Sequence, residues 1–126
     1  MAIALTSNAS DFVSSGETAA CTLATIHAGD IVVVHAMVQY GTATGISDSA
    51  GVLTFGAARA SVLSGSTTLY EYVAKASAAA SGDTITLSTS ATDTIWICAS
   101  AWSGLASSGW FDPNGSLPAT SGSGAA

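Results

Sequence analysis

Charged residues are scarce in this chain, and basic residues are almost missing. Only 8% of the 126 residues are charged, against about 25% in a typical domain. Arg59 and Lys75 are the only bases, against eight acids and a net charge of -6. Phosphate binding needs clustered lysine and arginine, and anionic membrane surfaces attract the same residues. The composition therefore predicts neither nucleic acid nor a membrane as a partner.

The chain also lacks long apolar runs and a recognisable targeting segment. The longest apolar stretch, residues 31–38, is too short to span a bilayer and contains His35. The start has neither the basic region nor the apolar core of a signal peptide. We therefore expect synthesis in the cytoplasm without a signal peptide, and release, if any, by a route such as lysis.

Helix signals are nearly missing, whereas short strand patterns recur between Gly, Ser, Asp and Asn residues. We predict loops at residues 44–51 and 74–83. Strands without helices predict one all-β domain, an antiparallel β-sandwich of Ig-like or jelly-roll type over residues 1–105, and a sheet closed on itself is the alternative. An extended Gly-, Ser- and Pro-rich C-terminal tail follows over residues 106–126. The predicted strands are residues 2–6, 18–26, 30–40, 52–60, 67–75, 83–89 and 93–102.

The distribution of apolar residues predicts which face of each strand is buried. The segment GDIVVVHAMVQYG is apolar on both faces, which predicts a central strand that is covered on both sides. In residues 68–75 we expect Tyr70 and Tyr72 to face the core, and in residues 83–89 we expect Ile85 and Leu87 to do so. Trp96 and Cys98 share one face of the last strand, but both of its faces are fairly apolar.

Five segments occur in an order that resembles a recurrent Ig-like or jelly-roll β-sandwich module of phage and bacterial surface proteins. The resemblance covers about residues 20–112, and the module usually continues with further strands. It implies that a neighbour or the tail completes the sheet. It also implies a role in capsid decoration, head cementing, or a tail or fibre surface. The segments are AGDIVVVHAMV (28–38), SDSAGVLTF (47–55), SGSTTLYEYVAKA (64–76), SGDTITLSTSATDTIWICASAWSGL (81–105) and FDP (111–113).

Cys21 and Cys98 fall on the second and the last predicted strands. An Ig-type inter-sheet disulfide joins similar places, but the usual tryptophan of the intervening strand is missing, and cytoplasmic synthesis disfavours a disulfide. The alternatives are a bonded pair and two buried thiols that act as small hydrophobes. No CxxC motif is present, so the cysteines do not indicate zinc.

No motif indicates a catalytic site. The chain has no G-x-S-x-G segment, and its two histidines stand in a turn (His27) and in the middle of a strand (His35). We expect His27 to be exposed and His35 to be packed or at an interface. We therefore predict that the protein is not an enzyme and uses no cofactor.

No motif indicates a metal site either. Four aspartates fall at loops or strand ends, but the chain has no DxDxDG array of the kind that binds calcium. Turn formation is the simpler role for such residues, because aspartate side chains bond to nearby backbone amides. The aspartates are Asp48, Asp83, Asp93 and Asp112.

Large apolar residues near both ends of the chain are the candidate contact residues. Aromatic residues fill cores, anchor protein interfaces or stack on sugars. We predict an interface formed by the tail residues Trp110, Phe111 and Leu117 and by Ile3 and Leu5 of the N-terminal segment. For a sugar-binding surface the candidates are Trp102 and Trp110.

Together with the resemblance, these patterns predict a structural virion protein that decorates or cements a phage capsid. The expected partners are other copies of the chain, as a trimer, and a major capsid or other virion protein. The expected location is the surface of an extracellular particle. A carbohydrate-binding adhesin domain of a tail fibre or cell surface is one alternative, and a self-assembling extracellular filament subunit is another.

Overall fold

The computed structural model describes residues 2–106 and Gly109, and this part of the chain forms one antiparallel sheet of six strands. The described residues contain no helix, and hence none long and apolar enough to cross a membrane. The sheet order is β1-β6-β2-β5-β4, and β3 also pairs with β6. The strands are β1 (Ala4–Ile26), β2 (Ile31–Gln39), β3 (Ala43–Asp48), β4 (Ala60–Ser64), β5 (Thr67–Lys75) and β6 (Ala80–Ser103).

The two longest strands, β1 and β6, pair along their whole length and form a ribbon that bends back on itself. The register runs from Ala4 opposite Ser103 to Ile26 opposite Ala80. Within β1 the Ser7 hydroxyl donates a hydrogen bond to the Thr25 carbonyl, 18 residues further on. A straight strand would hold these residues about 60 Å apart. The ribbon must therefore fold over between them.

The bend lies where the register shifts around Gly16, opposite Asp93. Such irregularities locally increase the twist and bend of a strand. They divide the sheet into two parts. We call residues 4–13 of β1 and 94–103 of β6, with β2, β5 and β4, the large half. Residues 16–26 of β1 and 80–93 of β6, with β3, are the small half.

The core is a single apolar cluster to which both halves contribute. The backbone of Ala99 in the large half contacts the thiol of Cys21 in the small half. Burial of one Leu, Ile or Val side chain contributes about 1.5–3 kcal/mol, so this cluster is the main source of stability. Its largest fully buried apolar members are Leu23, Ile26, Val32, Val34, Val38, Ile85, Leu87, Ile95 and Ile97.

Several of the expectations for single strands are confirmed. β2 and β5 lie almost where the pattern predicts them. Tyr72, Ile85 and Leu87 are buried, and Tyr70 packs against the core. The strands predicted at 2–6 and 18–26 are parts of one strand, β1, and those at 83–89 and 93–102 are parts of β6. An all-β, antiparallel fold is therefore confirmed, with fewer and longer strands than predicted.

Two predictions about the segment between β2 and β5 are wrong. Residues 43–48, for the most part predicted as a loop, form β3, because pairing with β6 satisfies their backbone groups. Residues 52–60 were predicted as a strand, but Leu53 makes only an isolated bridge with Ala76. The carboxylate of Asp48 accepts hydrogen bonds from the amides of Val52 and Leu53, at 2.8 and 3.2 Å, and so turns the chain.

Candidate interaction surface

The large half has one face towards the core and one face that points away from it, which we call the outer face. In β6 the side chains of Ile95, Ile97 and Ala99 are buried, so Trp96 and Cys98 project from the opposite side. Residues opposite each other on neighbouring antiparallel strands share a face. The register therefore identifies the outer residues of each strand.

One row of apolar side chains crosses all five strands of the outer face. Phe12 is 55%, Trp96 52% and Leu69 48% exposed, and the rings of Phe12 and Trp96 meet edge to face with centroids 5.8 Å apart. This ring geometry is a favourable one. Large exposed apolar patches mark interaction sites. The apolar row consists of Phe12, Trp96, Met37, Leu69 and Val62, each opposite the next in the register.

A row of polar side chains runs beside the apolar row, two residues along each strand. It begins with Ser10 and Cys98 and continues with His35 and Glu71. His35 Nε2 and Glu71 Oε2 are 3.0 Å apart and share a hydrogen bond. A nitrogen of the Arg59 guanidinium donates a hydrogen bond of 2.7 Å to Glu71 Oε1. We call these residues the polar row.

Glu71 carries a negative charge at neutral pH. Burial by itself raises the pKa of its carboxyl group, but the hydrogen bonds with Arg59 and His35, and the charges of these two groups, outweigh burial. The pKa therefore lies below its ordinary value of 4.5. The resulting ion pair is largely compensated within the polar row, so the outer face carries little uncompensated charge.

Two open depressions flank Cys98 on the outer face. One of about 410 Å³ lies between the two rows and is lined by Met37, Leu69, Trp96 and His35, among others. The other, of about 340 Å³, lies on the far side of the polar row. Depressions lined by apolar side chains accept the side chains of a partner. The outer face therefore combines an exposed apolar row with two open depressions beside Cys98.

The expectation that β2 is covered on both sides is wrong for the part of the chain that the structure describes. Val32, Val34, Ala36 and Val38 are buried in the core, but on the other face His35 is exposed. Among the described residues, full burial on the outer side of β2 is limited to Ile31, at 2% exposure, whereas Val33 and Met37 are half-buried. The expected exposure of His27 in its turn is confirmed.

The two cysteines are free thiols in different surroundings. Cys21 is buried as expected, and burial raises the pKa of its thiol to about 11. Cys98 is exposed, which corrects the expectation of a buried thiol. The reason is the alternation of β6, because Ile97 and Ala99 take the core positions on either side of it. Cys21 of the small half lies in the core, whereas Cys98 of the large half projects from the outer face, so no bond joins them.

Two of the three aspartates of the small half, Asp48 and Asp83, hold a loop, as predicted for turn-forming residues, whereas the buried carboxylate of Asp93 has no hydrogen-bond partner among the described residues. Asp48 binds two amides of the following segment, as described above. Asp83 accepts hydrogen bonds from the Ser49 hydroxyl at 3.0 Å and the Ala50 amide at 2.9 Å. Among the described residues, no group of three or more His, Cys, Asp and Glu side chains could hold a metal ion. Asp112 lies outside the described residues.

Only some of the residues predicted to make contacts belong to the described part of the chain. Ile3 and Leu5 are exposed near the start of β1. Trp102 is half-buried, and its indole N–H donates a hydrogen bond of 2.8 Å to the Ser100 hydroxyl. It is therefore less open to a sugar than Trp96. The three tail candidates, Trp110, Phe111 and Leu117, lie outside the described residues.

Sequence reasoning missed the apolar row as a surface, although two signals pointed to it. The first is the apolar pattern on both faces of residues 31–38. The second is that Trp96 and Cys98 share a face of β6. Comparison of the chain with protein-family models, with curated proteins and with solved structures finds no match.

Proposed function

We propose that this chain is a structural subunit of a larger assembly without a catalytic role, and specifically a virion protein that decorates or cements a phage capsid. The observation that supports it best is the exposed apolar row, which crosses the full width of the outer face. A row of this kind is suited to burial against a protein. The order of segments that resembles phage surface modules supports the virion setting.

The proposed architecture is a β-sandwich of Ig-like or jelly-roll type. Support comes from the bend of the β1–β6 ribbon and from the single core that its two halves share. In such a fold the two halves are the two layers, and the outer face is the exterior of the larger layer. The same module would present its edges, β1 and β4, to neighbours.

The proposed partners are other copies of the chain, as a trimer or another oligomer, and a major capsid or other virion protein. In the described part of the chain, six of the seven acidic residues lie off the outer face. Contact with a shell would therefore be made by apolar burial, or by a basic shell surface opposite the acidic part. The predicted tail and N-terminal contact residues would add to this contact.

A sugar-binding role has less support. An adhesin surface would have exposed aromatics flanked by Asn, Asp or Gln. Trp96 is exposed, but its neighbours across the strands are Phe12 and Met37. These residues offer no hydrogen bonds to sugar hydroxyls. A glycan array with the wild-type chain and Trp96→Ala tests this alternative, and loss of a reproducible glycan signal in the variant would favour it.

The proposed function is tested on particles. Virus particles whose genome encodes this chain are purified as a band in a density gradient. The proteins of these particles are then quantified by mass spectrometry. We expect the chain in a fixed ratio to the major capsid protein, and we expect purified chain to rebind to shells from which it has been stripped. Absence from the banded particles, or failure to rebind, would overturn the virion assignment.

A further inference from the structure

We propose that the outer face is a self-association surface, on which a second copy of this chain docks with its own outer face. This inference deepens the proposed function and rests on it, since an assembly subunit must contact its neighbours. It commits the outer face to another copy and leaves other surfaces for a shell protein. The following observations point to this occupant.

The size of the outer face fits a stable contact between two small proteins. Five strands at about 4.8 Å spacing and nine residues of β2 at about 3.3 Å give a face of about 24 by 30 Å. That is about 700 Å² on each partner, close to the roughly 800 Å² per partner of a standard specific interface. The face is therefore large enough to hold two copies together without further segments.

The charge of the outer face permits contact with an identical surface. Glu71 is its only acidic residue, and the side chain of Arg59 is paired with it. Lys75 lies at the end of β5, opposite Ile31. The other six acidic residues in the described part of the chain thus lie elsewhere. Two outer faces can meet without the repulsion that two acidic surfaces would suffer.

The composition of β2 is that of a strand with both faces covered. Ile31 at the start of the strand is already buried, but Val33 and Met37 are only half-buried and alternate with core residues. Runs that are apolar on both faces are typical of strands that are buried on both sides. The core covers only one face. A second outer face supplies the missing cover, with its own apolar residues at the matching positions.

The arrangement of the rows fits a two-fold contact. A two-fold axis that lies in the interface along the apolar row brings each apolar row against the same row of the other copy. Each residue of the row then faces the same residue of the other copy. A contact of this kind is isologous and joins two copies, so a trimer would have to use different surfaces, such as the strand edges.

The two cysteines provide a direct test on the unmodified protein. Cys98 lies on the outer face between the two depressions, whereas Cys21 is buried in the core. The rate of iodoacetamide labelling of each thiol is measured by mass spectrometry over a range of protein concentrations. We expect the labelling of Cys98 to slow by about fivefold or more between about 1 and 200 µM as copies associate. Labelling of Cys21, the internal control, should stay slow and independent of concentration.

A matched pair of variants tests which surface is buried. Leu69 and Leu63 are both exposed and lie on neighbouring strands, but the register places Leu69 in the apolar row and Leu63 on the other face of the sheet. Leu69→Ser should raise the dimer dissociation constant, measured by sedimentation equilibrium, by about tenfold or more. Leu63→Ser, at a residue that is 66% exposed, should change the constant by less than about threefold.

The outcomes separate this inference from the proposed function. Labelling of Cys98 that stays fast at every concentration, or equal effects of the two leucine variants, would overturn self-association through the outer face. Rebinding of the chain to stripped shells would then still support the proposed function. Conversely, a dimer with a protected Cys98 in a chain that is missing from particles supports this contact and removes the virion role. If a variant fails to fold, the wild-type labelling alone decides.

Discussion

The two faces of the large half are built from the same strands and are both rich in apolar residues, but only one is covered. Ile95, Ile97 and the core residues of β2 are inaccessible to solvent. One position away along the same strands, the side chains of Trp96 and His35 are exposed to solvent. The difference is therefore made by which segments pack on each face, and it cannot be read from the strands' own hydrophobicity.

This comparison is the reason for proposing the outer face as the place for a partner. A face that only borders water usually carries alternating polar side chains. The outer face instead has one polar row, whose charges are paired internally, and an apolar row beside it. The cost of exposing that apolar surface disappears when another surface covers it.

The largest expected effect comes from neighbouring residues on the two faces. Ile97→Ala removes a fully buried side chain and leaves a cavity, so it should lower the free energy of unfolding by about 2–4 kcal/mol. Trp96→Ala loses mainly its contact with Phe12 and should cost about 0.5–1.5 kcal/mol. Urea unfolding at a concentration too low for association measures both. Similar costs at the two positions would mean that the faces are not as different as described.

A second prediction concerns the end of the face of the large half that points towards the core. Asp93 continues the buried side of β6 into the bend, and a Cβ atom on Gly41 would overlap with its carboxylate. Gly41→Ala should therefore destabilise the protein by about 1–3 kcal/mol. The control is Gly45→Ala on β3, where an added Cβ meets nothing within 4 Å. Thermal unfolding should distinguish the two variants, and equal melting temperatures would show that the bend tolerates rearrangement.

The smallest expected effect belongs to the polar row of the outer face. The pKa of Glu71 is lowered in the folded chain, so its charge stabilises the fold above the unfolded value of about 4.5, and this contribution is lost as the pH falls through the folded value. Glu71→Gln should cost at most about 1 kcal/mol at neutral pH, because the pair is partly exposed. The difference from wild type should shrink below a pH of about 4.5.

The control for this measurement is Glu17→Gln, which changes an exposed glutamate away from the outer face. Urea unfolding of wild type and both variants from pH 3 to 7 gives the comparison. A Glu71→Gln difference that stays constant over this range would show that the carboxylate adds nothing through its charge. Such a result would leave the apolar row as the only energetically important part of the outer face.

The sequence allowed the fold class and most strand positions to be predicted, because these depend on local alternation. Ile85 and Leu87 alternate with threonine and serine, so their direction could be predicted. The merging of strands into β1 and β6 could not, because it depends on a bend around Gly16 that appears only when the two strands pair. The strand predicted at residues 52–60 is likewise missing because the Asp48 side chain binds the backbone there, and the pattern of apolar residues does not indicate such a hydrogen bond.

The candidate surface was less predictable than the fold. The pattern of residues 31–38 indicated that both faces of β2 need a cover, but it could not indicate that one cover is missing from the described part of the chain. The exposure of Cys98 could not be predicted, because both faces of β6 carry apolar residues and the sequence does not indicate which of them faces the core. The pairing of His35 with Glu71 depends on the register of β2 with β5, which joins residues 36 positions apart.

The β1–β6 ribbon also has a consequence for how the chain acquires its structure. Its paired residues are 54 to 99 positions apart, so the central strand of both halves is nearly the last part of the described chain to be synthesised. Until it appears, β1 has no described partner to pair with, and β2 has only β5. Chains dominated by such distant pairings fold in milliseconds to seconds, because loop closure must precede the contacts that reward it. We expect stopped-flow refolding to give a rate in this slow range. The apolar strands β1 and β2 stay exposed until β6 pairs with them.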